Sequence, residues 1–465
     1  MSQSNDFVGV RIDVGPQPFQ IFQQDTRSFG SFSLKGRWKH AENRGTVQLR
    51  VVREDDAVVV VPWQSAATGP AGQWAHTLEL VPAGGLYRIE SRLMLDPNSA
   101  EWSPHGDFVH HLGVGDLWVI AGQSNAAGYG RGPVNDPPRL GVHVLRNDET
   151  WDIATHVLNE TTRSNHPNME AANPAHSPYL TFGKELHGVL NYPIGLIQTA
   201  LGGSPLVSWN PVENPDAPLY KNLIHCLTLA GGRARGMVWY QGESDCNPEQ
   251  SKTYEKRFGD FVYRLRSDLK SPDFAVIVTQ LNRCPGSATD TNNPGNNTWW
   301  SVVREAQRQA TKLGKVAVVP AIDLGLSDSI HTSPDGNVTL GKRSARAALE
   351  IAYSRPGNWK APRVTTAILS SDRKTIDMTF DDVATRLQLL GPAEADFVVE
   401  DAQGTVPVTR ASSPGRNNIR LELGRATDGE TKVHGAFGAN PAANVRDAEE
   451  NTPILGFYGL ATTSG

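Results

Sequence analysis

The sequence predicts an α/β protein: a parallel β-sheet covered by helices on both faces, with a smaller all-β unit at each end. Three observations carry the prediction. Five short apolar runs in the middle of the chain do not alternate with polar residues, as expected of strands buried on both faces. Segments of helical period lie between those runs. At both ends of the chain the period falls to two, the signature of strands with one buried face.

Residues 1–112 read as a β-sandwich-like unit. In "TVQLRVV", Val47, Leu49 and Val51 alternate with Gln48 and Arg50. In "LYRIESRLML", Tyr87, Ile89, Ser91 and Leu93 oppose Arg88, Glu90 and Arg92. The turns "GPAG" and "PAGG" separate such runs. Residues 113–360 change character. Their apolar runs are "LWVIA" (117–121), "IGLIQTA" (194–200), "GMVWY" (236–240), "FAVIVTQL" (274–281) and "VAVVPAI" (316–322). The spacing predicts a helix over 248–269, where Tyr254, Phe258, Phe261, Val262 and Leu265 recur every three or four residues. Further helices are expected near 177–190, 218–230, 297–313 and 339–353. Strands alternating with helices make a three-layer α/β/α unit. After "SRPGNWKAPR" the period of two returns: Ile376, Met378 and Phe380 face one way in "TIDMTF", and Ile419, Leu421 and Leu423 do so in "IRLEL". Residues 361–465 therefore read as a second β unit.

Composition excludes several functions. A formal net charge of -5 over 465 residues leaves no basic footprint for nucleic acid. No apolar run approaches the roughly 20 residues that cross a bilayer, so no membrane partner is expected. The start, "MSQSNDFVGVRIDVG", has neither the basic nor the apolar stretch of a signal peptide. That leaves a cytoplasmic protein, or a secreted or periplasmic one whose leader has been removed. Cys226, Cys246 and Cys284 show no metal spacing and read as buried thiols. There is no H-E-x-x-H and no clustering of histidines, so neither cofactor nor catalytic metal is expected.

In open parallel sheets, ligands bind beyond the carboxyl ends of the strands. After the first run comes Gly122-Gln123-Ser124-Asn125, and after the second Leu201-Gly202-Gly203-Ser204. The third is followed by Gln241-Gly242-Glu243-Ser244-Asp245, the fourth by Asn282-Arg283, and the fifth by Asp323 and then Asp328-Ser329-Ile330-His331. These are the parts of a serine esterase. Ser124 at a strand-to-helix turn is an exposed nucleophile, and a following helix would aim its N–H groups and dipole at nearby negative charge. His331 takes its proton, and Asp328 holds the imidazole. The Ser124 N–H, the Gly203 N–H and the Gln241 side chain are candidate oxyanion donors.

Together, "GQSNAAG", "ALGGSPLVSW", "WYQGESD" and "DSIH…GKR" resemble in order and spacing the blocks of the SGNH-hydrolase superfamily, specifically its sialate O-acetylesterase-like carbohydrate-esterase branch. The resemblance spans roughly 115–355, includes "REAQ" at 304–307, and extends to the flanking β units. It implies a flavodoxin-like three-layer core, a Ser124-His331-Asp328 triad, and an oxyanion hole of Ser124, Gly203 and Gln241. It also implies a cofactor-free acetylesterase acting on an O-acetylated carbohydrate through an acetyl-enzyme. The alternatives are a broader lipase or thioesterase of the superfamily, or a glycan-binding protein around a spent core. Two departures stand out. The usual proline after the catalytic histidine is Thr332 here, and "SPDG" reads as an insertion before the next helix. Gly202 competes with Gly203 as donor.

Other residues have plainer readings. Ser204 and Ser244 sit in no nucleophile elbow and read as loop residues. Asp323 reads as a strand-end hydrogen bonder, and Asp335 as a turn residue. Gln123 and Asn125 flank the nucleophile and belong in or beside the substrate cleft. Glu243 reads as orienting the loops around Gln241, in preference to a second base or half of a glycosidase pair. Trp209 is open between stacking on a sugar and packing in the core. Gly128-Tyr129-Gly130-Arg131-Gly132 lacks any phosphate-binding pattern and reads as a flexible loop.

Overall fold

The coordinates are a computed structural model that describes residues 7–69, 72–160, 166–170, 174–293 and 295–465. The alternation at the start of the chain produces two antiparallel layers. One contains Gly9–Val14, Phe29–Lys39, Ala67–Thr68 and Gln73–Pro82. The other contains Thr46–Arg53, Val59–Ser65 and Gly84–Met94. Val47, Leu49, Val51, Ile89 and Leu93 point inward against Phe32, Leu34 and Leu78. On the other face, Arg50 pairs with Glu90 across the strands.

The strand His105–Gly122 joins this unit to the middle of the molecule. Its first part runs antiparallel to Gly84–Met94, and its last part lies parallel to Ile194–Gln198 and Gly236–Tyr240. Position 112/113 falls inside this one strand.

The five non-alternating runs form parallel strands in the spatial order Ile194–Gln198, His105–Gly122, Gly236–Tyr240, Ala275–Gln280, Val316–Pro320. Numbered along the chain this is 2-1-3-4-5, the flavodoxin-like order. Val142–Leu145 and the antiparallel Trp151–Ile153 extend the edge beside Ile194–Gln198. Helices lie on both faces. Trp118 packs on Phe182 of the helix Tyr179–Leu190 and donates to the hydroxyl of Tyr353, at the end of the helix Pro334–Tyr353. Trp239 points the other way, onto Phe258 and Phe261 of the helix Tyr254–Asp268. That helix starts at Tyr254, because 243–253 is taken up by turns and two short 3₁₀ segments. The strand order reverses between His105–Gly122 and Gly236–Tyr240, so a crevice is expected beyond their carboxyl ends.

The last part of the chain builds a five-stranded sheet that includes Arg363–Leu369, Thr375–Asp381 and Asn418–Leu423. A four-stranded sheet that includes Phe397–Asp401 and Lys432–Gly435 accompanies it. Ile376, Met378, Phe380, Val399, Ile419, Leu421 and Val433 share one core. The unit is fastened to the strand-end loops through Arg304 of "REAQ". This fully buried guanidinium donates to the carbonyls of Leu281, Asn282 and Gly438. Burial pulls its pKa down to about 10, which leaves it charged at neutral pH. Gln280 adds two bonds to Gly456, at 2.9 and 2.8 Å.

Candidate active site

The first strand ends at Gly122, whose φ is +130°. A Cβ there would sit 2.2 Å from the Tyr240 carbonyl oxygen, so only glycine lets the two strands close at this point. The chain then turns into Ser124–Ala127, a single helical turn. The longer helix expected after Ser124 is absent, and with it the dipole argument; the N–H of Ser124 itself is what the turn offers.

The amides on either side of Ser124 are braces. Gln123 Oε1 accepts the backbone N–H groups of Gly242 (3.3 Å) and Ser244 (3.2 Å). Asn125 Nδ2 donates to Glu243 Oε1 (2.8 Å) and to the carbonyl of Ile330 (3.3 Å), while its Oδ1 accepts from Thr332 N (3.0 Å). The nucleophile candidate is thereby tied to two other strand-end loops.

Ser124 Oγ lies 2.9 Å from His331 Nε2, although 207 residues separate them. His331 Nδ1 lies 2.7 Å from Asp328 Oδ2, and Asp328 Oδ1 accepts the N–H groups of Ile330 (2.9 Å) and His331 (2.8 Å). Burial pushes the Asp328 pKa up, but the bonds from His331 and the two backbone N–H groups outweigh it and hold the carboxyl below its ordinary value. Thr332 donates the N–H that a proline lacks, and its hydroxyl accepts from Asn282 Nδ2 at 3.0 Å. "SPDG" is no inserted loop. Ser333 caps the helix Pro334–Tyr353, with Pro334 at the first helical position.

Gly202 and Gly203 separate cleanly. The Gly202 N–H donates to Glu170 Oε1. Gly203 has φ +67°, and a Cβ there would meet nothing within 4 Å. Neither its N–H nor that of Ser124 has an acceptor among the described residues.

Gln241 does not reach this space. It is 0% exposed, and its Nε2 donates to Ser204 O (3.2 Å) and Asp245 Oδ2 (2.6 Å) while its Oε1 accepts from Tyr254 (2.9 Å). Both amide hydrogens are engaged, so none is left for an oxyanion. Gln123 is the side-chain amide beside Ser124 whose Nε2 has no acceptor among the described residues. Trp209 is likewise 0% exposed, donates to Ser204 Oγ (3.0 Å) and packs edge-on against Trp239, so it cannot stack on a sugar. Among the rival groups, Asp323 is held by Nη1 and Nη2 of the Arg343 guanidinium, and Asp335 accepts the Ser333 hydroxyl. Glu243 has one oxygen on Asn125 and the other shielded, with no partner among the described residues. Burial, above all, raises its pKa.

Sequence reasoning missed two residues. The Tyr129 ring stacks on His331 with centroids 4.8 Å apart and 23° between planes. Its hydroxyl donates to Glu170 Oε2 (2.7 Å), the same buried carboxylate that holds Gly202. The 128–132 segment is pinned: Gly130 pairs with His176, and Arg131 N donates to Ser327 Oγ at 2.8 Å. Histidines also cluster, against expectation. Glu54, His110 and His111 form one group, Asp136, His156 and His176 another, and Glu149, His166 and His225 a third. None of the three contains Ser124 or His331.

The family model described as carbohydrate esterase, sialic acid-specific acetylesterase matches residues 114–350, just over half of the chain. A protein of Arabidopsis thaliana named as a probable carbohydrate esterase is 26% identical over 257 residues, 50% of this chain and 90% of that one. The sialate O-acetylesterase of Pongo abelii is 25% identical over 238 residues, 43% of each chain, so less than half of that relative is spanned. The crystal structure of a carbohydrate acetylesterase from Xanthomonas citri shares the fold, with a TM-score of 0.69 over 97% of this chain and 100% of that one at 20% identity. On the match to residues 114–350, the chain belongs to this carbohydrate esterase family and is a carboxylic ester hydrolase.

Proposed function

We propose that the protein removes O-acetyl groups from the hydroxyls of a sugar through an acetyl-enzyme on Ser124. The observation that carries this reading is the unbroken chain from Ser124 Oγ through His331 to Asp328, together with Ser124 and Gly203 N–H groups that have no acceptor among the described residues. Ser124 Oγ attacks the acetyl carbonyl as His331 Nε2 takes its proton. Asp328 keeps the Nδ1 proton in place and stabilises the imidazolium. The carbonyl oxygen becomes an oxyanion held by the Ser124 and Gly203 N–H groups, each worth roughly 2.7–4 kcal/mol at the transition state. Gln123 Nε2 replaces Gln241 as the candidate third donor. The imidazolium proton goes to the leaving sugar oxygen. Water, deprotonated by His331, then attacks the acetyl-enzyme and releases acetate and Ser124.

The Tyr129 face under His331 favours the imidazolium by cation–π attraction of about 0.5–2 kcal/mol. A sugar ester is the substrate class supported by the family description and by the names of the relatives, with O-acetylated sialic acid first among the sugars to try.

The test is acetate release from p-nitrophenyl acetate, then from O-acetylated sialic acids and acetylated xylo-oligosaccharides. Ser124→Ala should lower kcat at least about 10⁴-fold with the fold intact. An unchanged rate in that variant would refute the nucleophile assignment. Octanoyl esters turned over faster than acetyl esters would refute the acetyl preference.

A further inference from the structure

We propose a metal site of the zinc type, built by Glu149, His166 and His225 away from the Ser124–His331 pair. Glu149 lies in the turn between Val142–Leu145 and Trp151–Ile153, and His225 on the helix Pro218–Leu229. Both imidazoles aim Nε2 at one carboxylate oxygen, Glu149 Oε1, from 3.1 Å (His166) and 3.0 Å (His225). Their ring centroids are 5.3 Å apart and inclined by 50°. A tetrahedral ion with bonds of 2.0–2.2 Å keeps its ligand atoms about 3.3 Å apart, and two imidazoles bound through Nε2 then have centroids about 5 Å apart. The two N···O distances and the ring separation stand within a few tenths of an ångström of those values, and all three ligand atoms lie within 4.8 Å of one another.

The hydrogen on Nδ1 of His166 is set from inside the protein. Asn159 Nδ2 donates to the Ala200 carbonyl (2.9 Å), which sets the orientation of that amide. Asn147 Nδ2 donates to Asn159 Oδ1, Asn168 Nδ2 to Asn147 Oδ1, and Asn222 Nδ2 to Asn168 Oδ1. Asn222 is left offering its oxygen to His166 Nδ1 at 2.9 Å, so that nitrogen carries the hydrogen. With Nδ1 so engaged, Nε2 is the ring nitrogen left to bind a cation beside Glu149 Oε1. A divalent cation between them satisfies both, and His225 as well. A hydrogen bond that fixes the tautomer of a histidine is the usual outer support of a metal ligand. Two imidazoles and one carboxylate suit Zn²⁺. With His225 and Glu149 side chains 53% and 47% exposed, a water completes the coordination.

The ion would fasten the 166–170 segment at His166, four residues before Glu170, which holds Gly202 and Tyr129. The asparagine relay ends on Ala200, next to the same glycine pair. Metal binding itself does not depend on the esterase reading.

The test uses the full chain without a polyhistidine tag, stripped with a chelator and titrated with Zn²⁺ against a chromophoric competitor. One Zn²⁺ per chain is expected, along with a rise in Tm on adding Zn²⁺. His225→Ala and Glu149→Gln sit at accessible positions that do not threaten folding. Each should weaken binding at least about tenfold and remove the Tm response. His110→Ala, in a different cluster, should bind as the wild type does. Failure of the wild type to bind Zn²⁺ stoichiometrically, or wild-type affinity in both His225→Ala and Glu149→Gln, overturns the site.

Discussion

Glu170 offers the sharpest probe of how the loop proposed to bind the oxyanion is held. Its Oε1 takes the Gly202 N–H and its Oε2 takes the Tyr129 hydroxyl at 2.7 Å, in a buried setting. Glu170→Ala strands both donors. A buried donor left without a partner costs about 1–3 kcal/mol, so the loop loses about 2–6 kcal/mol of its hold. If Gly203 then moves out of reach of the oxyanion, one transition-state bond goes, about 10²–10³ in kcat. Glu170→Gln separates geometry from charge. The glutamine oxygen still takes the Gly202 N–H, and the Tyr129 hydroxyl rotates to accept from the amide. The expected outcome is kcat within about tenfold of wild type for glutamine and a loss of about 10²–10³ for alanine, with KM changed little in both. The assay is steady-state hydrolysis of p-nitrophenyl acetate on variants whose circular dichroism matches the wild type. A folded Glu170→Ala protein with wild-type kcat refutes the argument. A Glu170→Gln protein as slow as alanine refutes it differently, because the negative charge beside His331 would then matter and the hold on Gly202 would not.

Two further outcomes follow from the geometry. Trp209→Ala should cost about 3–5 kcal/mol of stability in chemical denaturation, as a large core side chain does, while KM for a sugar ester stays put. A large rise in KM without loss of stability would return Trp209 to the cleft. Asp136 is held far below the ordinary carboxylate range: burial pushes its pKa up, and bonds from His156, His176 and Lys184 overcome it. A carboxyl depressed in the folded state lends stability that is fully present above its unfolded pKa of about 3.9 and is lost as pH falls through the folded value. The Tm gap between wild type and Asp136→Asn should therefore be widest above about pH 5 and close toward pH 2; a gap independent of pH would contradict this linkage.

What could be read from the chain follows a physical divide. The strands were legible because burial on both faces forbids alternation, and Ser124, Asp328 and His331 because each lies just past such a run. Gln241 and Trp209 follow such runs too, yet they face inward. What decides them is saturation by Ser204, Asp245 and Tyr254, which are partners brought together only by folding. Glu170 and the His166 cluster lie in a stretch without periodicity, and His225 meets Glu149 from 76 residues away. Tyr129 was the one residue with a local signal, since it stands five positions after Ser124 inside the same glycine-bounded block.

The carboxylates around His331 show why one of them, and not another, partners the imidazole. Glu170, Glu243 and Asp328 all interact with it electrostatically. Burial raises the pKa of Glu170 and Glu243, and in Glu243 one oxygen has no donor among the described residues. Asp328 is more open and accepts two backbone N–H groups besides the imidazole, so its pKa falls instead. Environments that push neighbouring carboxyls in opposite directions assign their roles. The group kept ionised is the one on Nδ1, where negative charge steadies the imidazolium. The other two carboxyls do not touch Nδ1, and they serve as struts for Gly202, Tyr129 and Asn125. Moving the ionised carboxylate to Glu243 would set the charge against Asn125, whose other bonds hold both Ile330 and Thr332, and not on His331 Nδ1.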